Sequence, residues 1–312
     1  MGTAIYNSNA DIPKEMLLGN LLFMNIKDMK LSEKELNDEF VAAGLSSSYI
    51  NKIKPSDVFR RATSSIKGKS CILTKSGIKS VINIDEVCSD NDKIIRIASL
   101  HGIDEKNEDI EFEKMLSFRF DRYTKKMKFT ISSQHLSNDA LQIAQEVEAR
   151  FNEWCIYHNK DTIRNLINRI VTSMHPVNLM PTGICKFIPL NSSDTLHKLH
   201  KLISNMSVYC INQGDENLVE IIPIIDTKDQ RDLITKNYSL EITEEMNDLA
   251  SALSKVISKG SLTSKQASAY INKFAELKQK ANEYDDMLGI YSENIQKQIK
   301  VSLDLINDNA DE

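Results

Sequence analysis

Apolar residues in the C-terminal part of the chain, from Lys228 to Asp308, recur with a seven-residue period. Their spacing alternates between three and four residues on both sides of Gly260. The first limb contains Ile242, Met246, Leu249, Leu253 and Val256, and the second contains Phe274, Leu277, Ala281, Tyr284, Leu288, Tyr291 and Ile295. This alternation is typical of the a/d seam of a coiled coil. Because Gly260 separates the limbs, the pattern predicts an antiparallel helical hairpin rather than one rod.

The two limbs of this hairpin are unequal in length. A helix from Ser264 to Ile306 would run roughly 65 Å at about 1.5 Å per residue. The patterned part of the first limb, Ile242 to Lys259, is shorter by roughly two dozen residues. The overhang keeps an apolar stripe that consists of Tyr284, Leu288, Tyr291, Ile295 and Ile299. Because an exposed stripe promotes aggregation, it must pack on the body, on a second copy or on another protein, and we expect self-association or partner binding.

The segment from Lys69 to Ser132 changes to the two-residue period of strands. Five apolar runs, separated by polar or turn-rich links, lie at 71–73, 80–84, 93–98, 115–120 and 128–131. They predict an antiparallel meander with one face covered. Upstream of them, Ser32 and Glu35 have the spacing of a capping box, which predicts a helix over Glu33–Ala43.

Helical and strand patterns alternate through the middle of the chain. Two amphipathic helices follow the meander, and residues 183–225 then predict a strand–helix–strand–strand unit whose last two strands are Val208–Ile211 and Leu218–Ile225. The predicted fold class is therefore α+β, with an antiparallel meander, a strand–helix–strand–strand unit and a C-terminal antiparallel helical hairpin. We expect three regions, 1–135, 136–227 and 228–312.

The formal net charge of the whole chain is −5, and it is concentrated in the predicted hairpin. Residues 228–312 carry 11 Lys+Arg against 15 Asp+Glu, hence −4, and the remaining residues carry 28 against 29, hence −1. Phosphate binding requires concentrated positive charge, so the acidic hairpin is not expected to hold nucleic acid. A local basic patch on the body stays open.

The five cysteines stand far apart and form no C-x-x-C pair. This usage is typical of reduced thiols in a cytosol. No apolar run reaches the length of about 18 residues that a membrane helix needs, and the N-terminus lacks the features of a signal peptide. We therefore expect a cytoplasmic protein.

Local motifs for catalysis, metals or cofactors are not found. Gly68-Lys69-Ser70 resembles the end of a phosphate-binding loop, but Thr63 occupies the position where that loop needs its first glycine. His197 and His200 lie one turn apart on a predicted helix, but without a third ligand they fit the polar face of that helix better than a metal site. We expect no metal and no cofactor. An enzyme whose site assembles from distant residues remains one alternative.

Aromatic and basic residues interleave between Phe118 and Phe129. A sheet could present such residues for base stacking and phosphate contact, and the cations are Arg119, Arg122, Lys125, Lys126 and Lys128. The same alternation is expected of any half-buried hairpin, with Phe118 and Phe120 inward and Arg119 and Lys128 outward. The structural interpretation is favoured, and nucleic-acid binding is an alternative.

Three stretches together resemble a family of bacterial and bacteriophage proteins to which no function is attached. They are 55–62 (PSDVFRRA), 183–189 (GICKFIP) and the closing helix around 284–288 (YDDML). Relatives have D-A-F-R-R-A where this chain has DVFRRA, and G-G-V-Y-F-V-P in the region where it has Gly183 to Pro189. Thr182 stands in place of the first glycine. The resemblance implies a mobile-element setting and one continuous architecture, and it transfers no active site.

Arg60 and Arg61 lie about 100° apart on the short helix that this first stretch predicts. A structural ion pair with an acidic neighbour is the favoured role, and binding of an external anion is the sharper one. For the whole chain, the sequence favours a non-enzymatic interaction protein that acts through oligomerisation and a protein partner, such as a host factor or a defence protein.

Overall fold

The computed structural model describes residues 13–72, 79–103, 109–132, 137–180, 183–260 and 262–309. The strands are β1 (Leu17–Asn25), β2 (Lys30–Ser32), β3 (Ser70–Ile72), β4 (Lys79–Ser89), β5 (Lys93–Ile103), β6 (Asp109–Asp121), β7 (Lys126–Ile131), β8 (Tyr157–Asn159), β9 (Val177–Asn178), β10 (Cys185–Pro189) and β11 (Leu218–Ile225). The α-helices are α1 (Glu33–Ala43), α2 (Pro55–Ser64), α3 (Ser137–Trp154), α4 (Lys160–Thr172), α5 (Ser193–Asn205), α6 (Lys228–Ile257), α7 (Ser264–Leu288) and α8 (Glu293–Asn309). The strands pair antiparallel, and the predicted α+β class is confirmed.

The chain divides into two compact units, each assembled from separated segments. The sheet unit comprises Asp28–Asp38 and Ser47–Ile163, and the bundle unit comprises Met1–Lys27, Glu39–Ser46 and Arg164–Glu312. These units are drawn differently from the three expected regions, because the C-terminal helices share a unit with β1, β10 and β11.

The sheet unit contains a five-stranded sheet of order β3-β4-β5-β6-β7. Strands adjacent in the chain are adjacent in the sheet, which is the predicted meander. Its inward side chains pack with residues of α2 and α3 in one apolar cluster, which includes Ile82, Ile84, Ile94, Leu116, Phe118, Phe120, Val58, Phe59 and Phe151. The ring of Phe120 lies 5.5 Å from that of Phe59 and 6.0 Å from that of Phe151, centroid to centroid.

The predicted capping box at the start of α1 forms. The backbone N–H of Ser32 donates to Glu35 Oε2 at 2.7 Å, and the backbone N–H of Glu35 donates to Ser32 Oγ at 3.3 Å. Hydrogen bonds from Ser32 hold the pKa of Glu35 below its ordinary value. Each partner satisfies a donor that the first turn of a helix leaves unpaired.

The bundle unit contains a four-stranded antiparallel sheet of order β11-β1-β10-β9. Gly19 of β1 is required by the close approach of β10. A Cβ atom at Gly19 would lie 2.4 Å from the carbonyl oxygen of Ile188 and 2.6 Å from the ring of Phe187. Phe187 in turn packs against Tyr284 of α7, with ring centroids 6.3 Å apart. The sheet and the C-terminal helices therefore share one core.

The C-terminal helices differ from the predicted hairpin in one respect. The first limb ends at Ile257, and Gly260 lies in the turn that follows, so the predicted break forms. The expected single helix from Ser264 to Ile306 is wrong. Gly289 adopts φ +68° and ends α7, and Asp285 accepts from the backbone N–H of Ser292 at 2.9 Å. The end of α8 returns to the α6–α7 turn, where Leu262 N–H donates to the carbonyl of Asn309 at 2.9 Å. Three helices replace the two unequal limbs.

The predicted strand at Val208–Ile211 is also replaced by other structure. Met206–Tyr209 form a short 3-10 helix after α5. Met206 is buried, whereas the side chains of Val208 and Ile211 are exposed. Cys210 is a single bridge residue, and the exposed apolar side chains on either side of it gain little of the cross-strand packing that stabilises a strand.

Candidate anion-binding site

Two hairpin turns and helix α2 meet at one end of the five-stranded sheet. The β4–β5 turn is held by Asp90, whose Oδ1 accepts from the backbone N–H groups of Asp92 and Lys93 at 2.9 and 2.8 Å. The β6–β7 turn is held by Asp121, whose Oδ1 accepts from the backbone N–H of Thr124 at 2.7 Å. The backbone N–H of Arg122 donates to the carbonyl of Asp92 at 2.8 Å, so the two turns are joined.

The arginine cluster at this end consists of Arg60, Arg96, Arg122, Glu86 and Ser89. Arg60 of α2 donates from Nε and Nη2 to the two carboxylate oxygens of Glu86 at 2.9 and 3.1 Å. Hydrogen bonds from Arg60 hold the pKa of Glu86 below its ordinary value. The predicted ion pair of Arg60 with an acidic neighbour therefore forms, and it joins α2 to β4.

Arg96 of β5 lies beneath Arg60 and is the more buried of the two. Its Nη1 donates to the carbonyl of Arg60 at 2.6 Å, to Thr63 Oγ1 at 2.7 Å and to Ser64 Oγ at 2.9 Å. Its Nε is buried without a hydrogen-bond acceptor and lies 3.8 Å from Glu86 Oε2. Burial lowers the pKa of the guanidinium. A buried charge held mainly by neutral acceptors is incompletely compensated.

Ser89 is the point at which α2 and the β6–β7 turn converge. Its Oγ accepts from Arg60 Nη2 at 3.1 Å and from Arg122 Nη2 at 3.3 Å. Arg60 and Arg122 come from two separate sets of candidate residues, and the fold brings them to one hydroxyl. Arg122 Nε, like that of Arg96, is buried without an acceptor.

The hairpin of β6 and β7, with the candidate cations between Arg119 and Lys128, is called the basic hairpin. Its other cations lie on the solvent side of the sheet. Arg119 and Lys128 are directly opposite each other on β6 and β7, and both are exposed. Phe118 and Phe120 point into the core, as the structural interpretation of the alternation predicts. Tyr123, at the tip of the turn beside Lys125 and Lys126, is 94% exposed.

Arg61 does not join its neighbour Arg60. Its Nη1 donates to Thr162 Oγ1 at 2.7 Å, and its guanidinium lies 5.5 Å from the ring centroid of Trp154. Because consecutive residues of a helix lie about 100° apart, Arg60 and Arg61 bind different partners.

The predicted apolar stripe of the C-terminal helices lies mostly inside the bundle unit. Tyr284, Leu288, Ile295 and Ile299 are buried, and they belong to the core shared with α6 and the four-stranded sheet. Tyr291 is 73% exposed, because it lies in the connection between α7 and α8. The covering that the stripe required is supplied within the chain.

A buried polar network in the bundle unit was not anticipated from the sequence. Lys280 of α7 donates to Glu241 Oε1 at 2.9 Å and to Glu245 Oε1 at 2.8 Å, and its side chain is almost fully buried. Glu241 Oε2 also accepts from the backbone N–H and the side-chain amide of Asn178, at 2.8 and 2.9 Å. Lys280 sits between a and d positions of the heptad, which gives no signal of burial.

Within its own helix, His197 donates from Nδ1 to the carbonyl oxygen of Ser193 at 2.6 Å. In the described part of the chain, no group of three His, Cys, Asp or Glu side chains is arranged to hold a metal ion. Among the same residues, no helix combines the length and apolar character needed to cross a membrane.

Comparison with known proteins gives one match. The profile of DUF6744, described as a family of unknown function, matches residues 17–305. No curated protein and no solved structure matches the chain. The match spans both units, so the fold described above is that of the matched region as a whole.

Proposed function

The chain belongs to DUF6744, a family of unknown function, so its function has to be inferred from its geometry. We propose that it is a binding protein without enzymatic activity and that its ligand is single-stranded nucleic acid. The observation that carries the proposal is the direct opposition of Arg119 and Lys128 across β6 and β7. Like charges at directly opposed positions of a sheet destabilise it. Asp121 attracts Arg119 from two residues along β6, but it is directly opposite Lys126 and not Lys128. An external anion would relieve the repulsion that remains between Arg119 and Lys128.

The surroundings of this pair support the same ligand. Neither Arg119 nor Lys128 forms an ion pair within 4 Å in the described part of the chain. Lys126 lies two residues before Lys128 on the same exposed face of β7, directly opposite Asp121 of β6. Residues two apart on a strand are about 6.6 Å apart along it, so Lys126 and Lys128 form a short cationic track. Tyr123 offers a ring beside that track, where a base can stack.

The sheet differs from aromatic stacking platforms because its phenylalanines face the core. Binding therefore depends on phosphate contacts rather than on base contacts, and we expect little sequence preference. The acidic character of residues 228–312 disfavours contact between nucleic acid and the C-terminal helices.

The test is fluorescence anisotropy with a labelled thymidine 20-mer at about 50 mM salt. We expect the double variant Arg119→Gln/Lys128→Gln to bind at least about tenfold more weakly than the natural protein, because two phosphate contacts are lost. Lys300→Gln removes an exposed cation of α8 and is the control, for which we expect unchanged affinity. Equal affinity of the double variant and the natural protein would overturn the proposal.

A second candidate function is self-association, and an edge strand favours it. β11 has β1 as its neighbour and lies at the edge of the described four-stranded sheet. Its Leu218 and Ile222 are 50% and 48% exposed. An apolar edge is a template for pairing with another chain. In an antiparallel pairing of two β11 strands centred between Ile221 and Ile222, Glu220 faces Pro223, so no like charges meet.

Pro223 lacks an N–H donor and weakens such a pairing, which is why this function ranks second. The resemblance to bacteriophage proteins supports a cytoplasmic, mobile-element setting in which a host factor or a defence protein could use the same edge. Sedimentation of the natural protein and of Ile222→Lys tests the idea. A dimer that dissociates in the variant supports it, and a monomer at all concentrations contradicts it.

A further inference from the structure

We infer that Arg60, Arg122 and Ser89 form a subsite for a terminal phosphate monoester, which fixes the end of a bound strand. This inference rests on the proposed function and adds the chemical group that the arginine cluster takes. The starting observation is that two guanidinium groups from different elements donate to the single hydroxyl of Ser89.

The charges within the arginine cluster are not balanced. Arg60, Arg96 and Arg122 contribute +3 and Glu86 contributes −1, so these four side chains carry +2. Asp85 also attracts Arg96 and reduces the positive charge that a ligand meets. Asp57 approaches Arg60 to 3.8 Å from a largely exposed position and reduces this charge further by only a screened interaction. A terminal phosphate monoester carries about −1.5 to −2 at neutral pH, whereas an internal phosphodiester carries about −1.

Arg122 is the guanidinium available to such a ligand. Arg60 is already bidentate to Glu86, and Arg96 uses its Nη1 on three neutral acceptors. Arg122 donates only to the hydroxyl of Ser89 among the side chains described, and it forms no ion pair with them. The planar fork of an arginine matches the oxygens of a phosphate. Because Arg122 Nε is buried, a phosphate would have to bind the two Nη groups.

The position of the cluster relative to the cationic track fits the end of a strand. Arg122 faces the α2 side of the sheet, Tyr123 follows it at the tip, and Lys126 and Lys128 lie on the solvent side. A strand whose terminal phosphate reaches Arg122 can stack its first base on Tyr123. Its following phosphates then pass the lysines.

The test is competition between a labelled thymidine 20-mer and three unlabelled 20-mers with free ends, a 5′-phosphate or a 3′-phosphate. We expect one phosphorylated competitor to bind about tenfold tighter than the competitor with free ends, because a charge-assisted bidentate contact is gained. The ratio should fall to about one in Arg122→Gln. It should stay about tenfold in Arg61→Gln, which removes the neighbouring arginine of α2. A ratio of one in the natural protein, or a ratio that survives Arg122→Gln, would overturn the subsite.

A second measurement separates this subsite from the proposed function. If no 20-mer binds, nucleic-acid binding is excluded, and inorganic phosphate then decides the subsite. Phosphate stabilises folded proteins in general. Compared with chloride at matched ionic strength, it should therefore raise the Tm of the natural protein and of Arg61→Gln more than that of Arg122→Gln. Equal Tm changes in all three proteins would show that no phosphate subsite exists.

Discussion

The amino group of Lys280 lies 2.9 Å from Glu241 Oε1, inside the bundle unit, where α7 meets α6. Both side chains are largely buried, and Asn178 of β9 binds the second oxygen of the same carboxylate. The pair therefore joins the C-terminal helices to the four-stranded sheet. Two buried charges of this kind stabilise a fold only while both are present.

A double-mutant cycle tests that dependence. Lys280→Met should lower the free energy of unfolding by about 3–5 kcal/mol, because Glu241 is left charged and buried. Glu241→Gln should cost less, about 1–3 kcal/mol, since Lys280 keeps Glu245 at 2.8 Å. The double variant should be more stable than Lys280→Met alone. Strictly additive losses in urea unfolding would contradict the pairing.

The same pair predicts a pH dependence. Burial raises the pKa of Glu241, but the charge of Lys280 and the hydrogen bonds from Asn178 and Lys280 outweigh it, and the net pKa is lowered. The folded state therefore binds this proton less readily than the unfolded state. The stabilisation is present above the unfolded pKa of about 4.3 and is lost as the pH falls through the folded value. Urea unfolding from about pH 6 to about pH 3 should show a shallower loss for Glu241→Gln than for the natural protein.

Gly289 offers a test whose sign depends on the fold. With φ +68° it ends α7, so Gly289→Ala should destabilise the protein by about 1 kcal/mol. In one uninterrupted helix from Ser264 to Ile306, the same change would stabilise by about 1 kcal/mol, because alanine is the better helix former. If Gly289→Ala raised the free energy of unfolding, the result would support one uninterrupted helix and would contradict α8 as a separate element.

The stripe residues should divide into two classes when truncated. Ile299→Ala should cost about 2–5 kcal/mol, because Ile299 is buried in the core shared with the sheet. Tyr291→Ala should change stability by less than about 0.5 kcal/mol, since the ring is exposed. Thermal unfolding of both variants at low protein concentration measures this contrast. A small effect at Ile299 would mean that the stripe is not covered within the chain.

The sequence predicts those parts of the fold in which local signals agree. The capping box of Ser32 and Glu35, the strands of the meander and the break at Gly260 all form as their patterns indicate. The break at Gly289 was missed because the heptad continues on both sides of it. The sequence nevertheless contains a signal for this break. Gly289 is a typical helix stop, and Ser292 followed by Glu293 is a typical helix start.

The arginine cluster could be predicted only in part. Arg60 and Arg122 were both candidates, but Ser89 and Glu86 carry no local motif. Their meeting depends on the register of β4 and β5 and on the way α2 covers the sheet. Sequence separations of 29 and 33 residues between these partners place them beyond any pattern of fixed period.

The most direct test of the central claim, that the basic hairpin binds nucleic acid, is the salt dependence of that binding. The logarithm of the association constant for a thymidine 20-mer is measured against the logarithm of the salt concentration, for the natural protein and for Arg119→Gln/Lys128→Gln. Each phosphate contact on a single strand contributes a slope of about −0.7, so the variant should be shallower by about 1.4. Identical slopes for the two proteins would show that Arg119 and Lys128 do not contact phosphates.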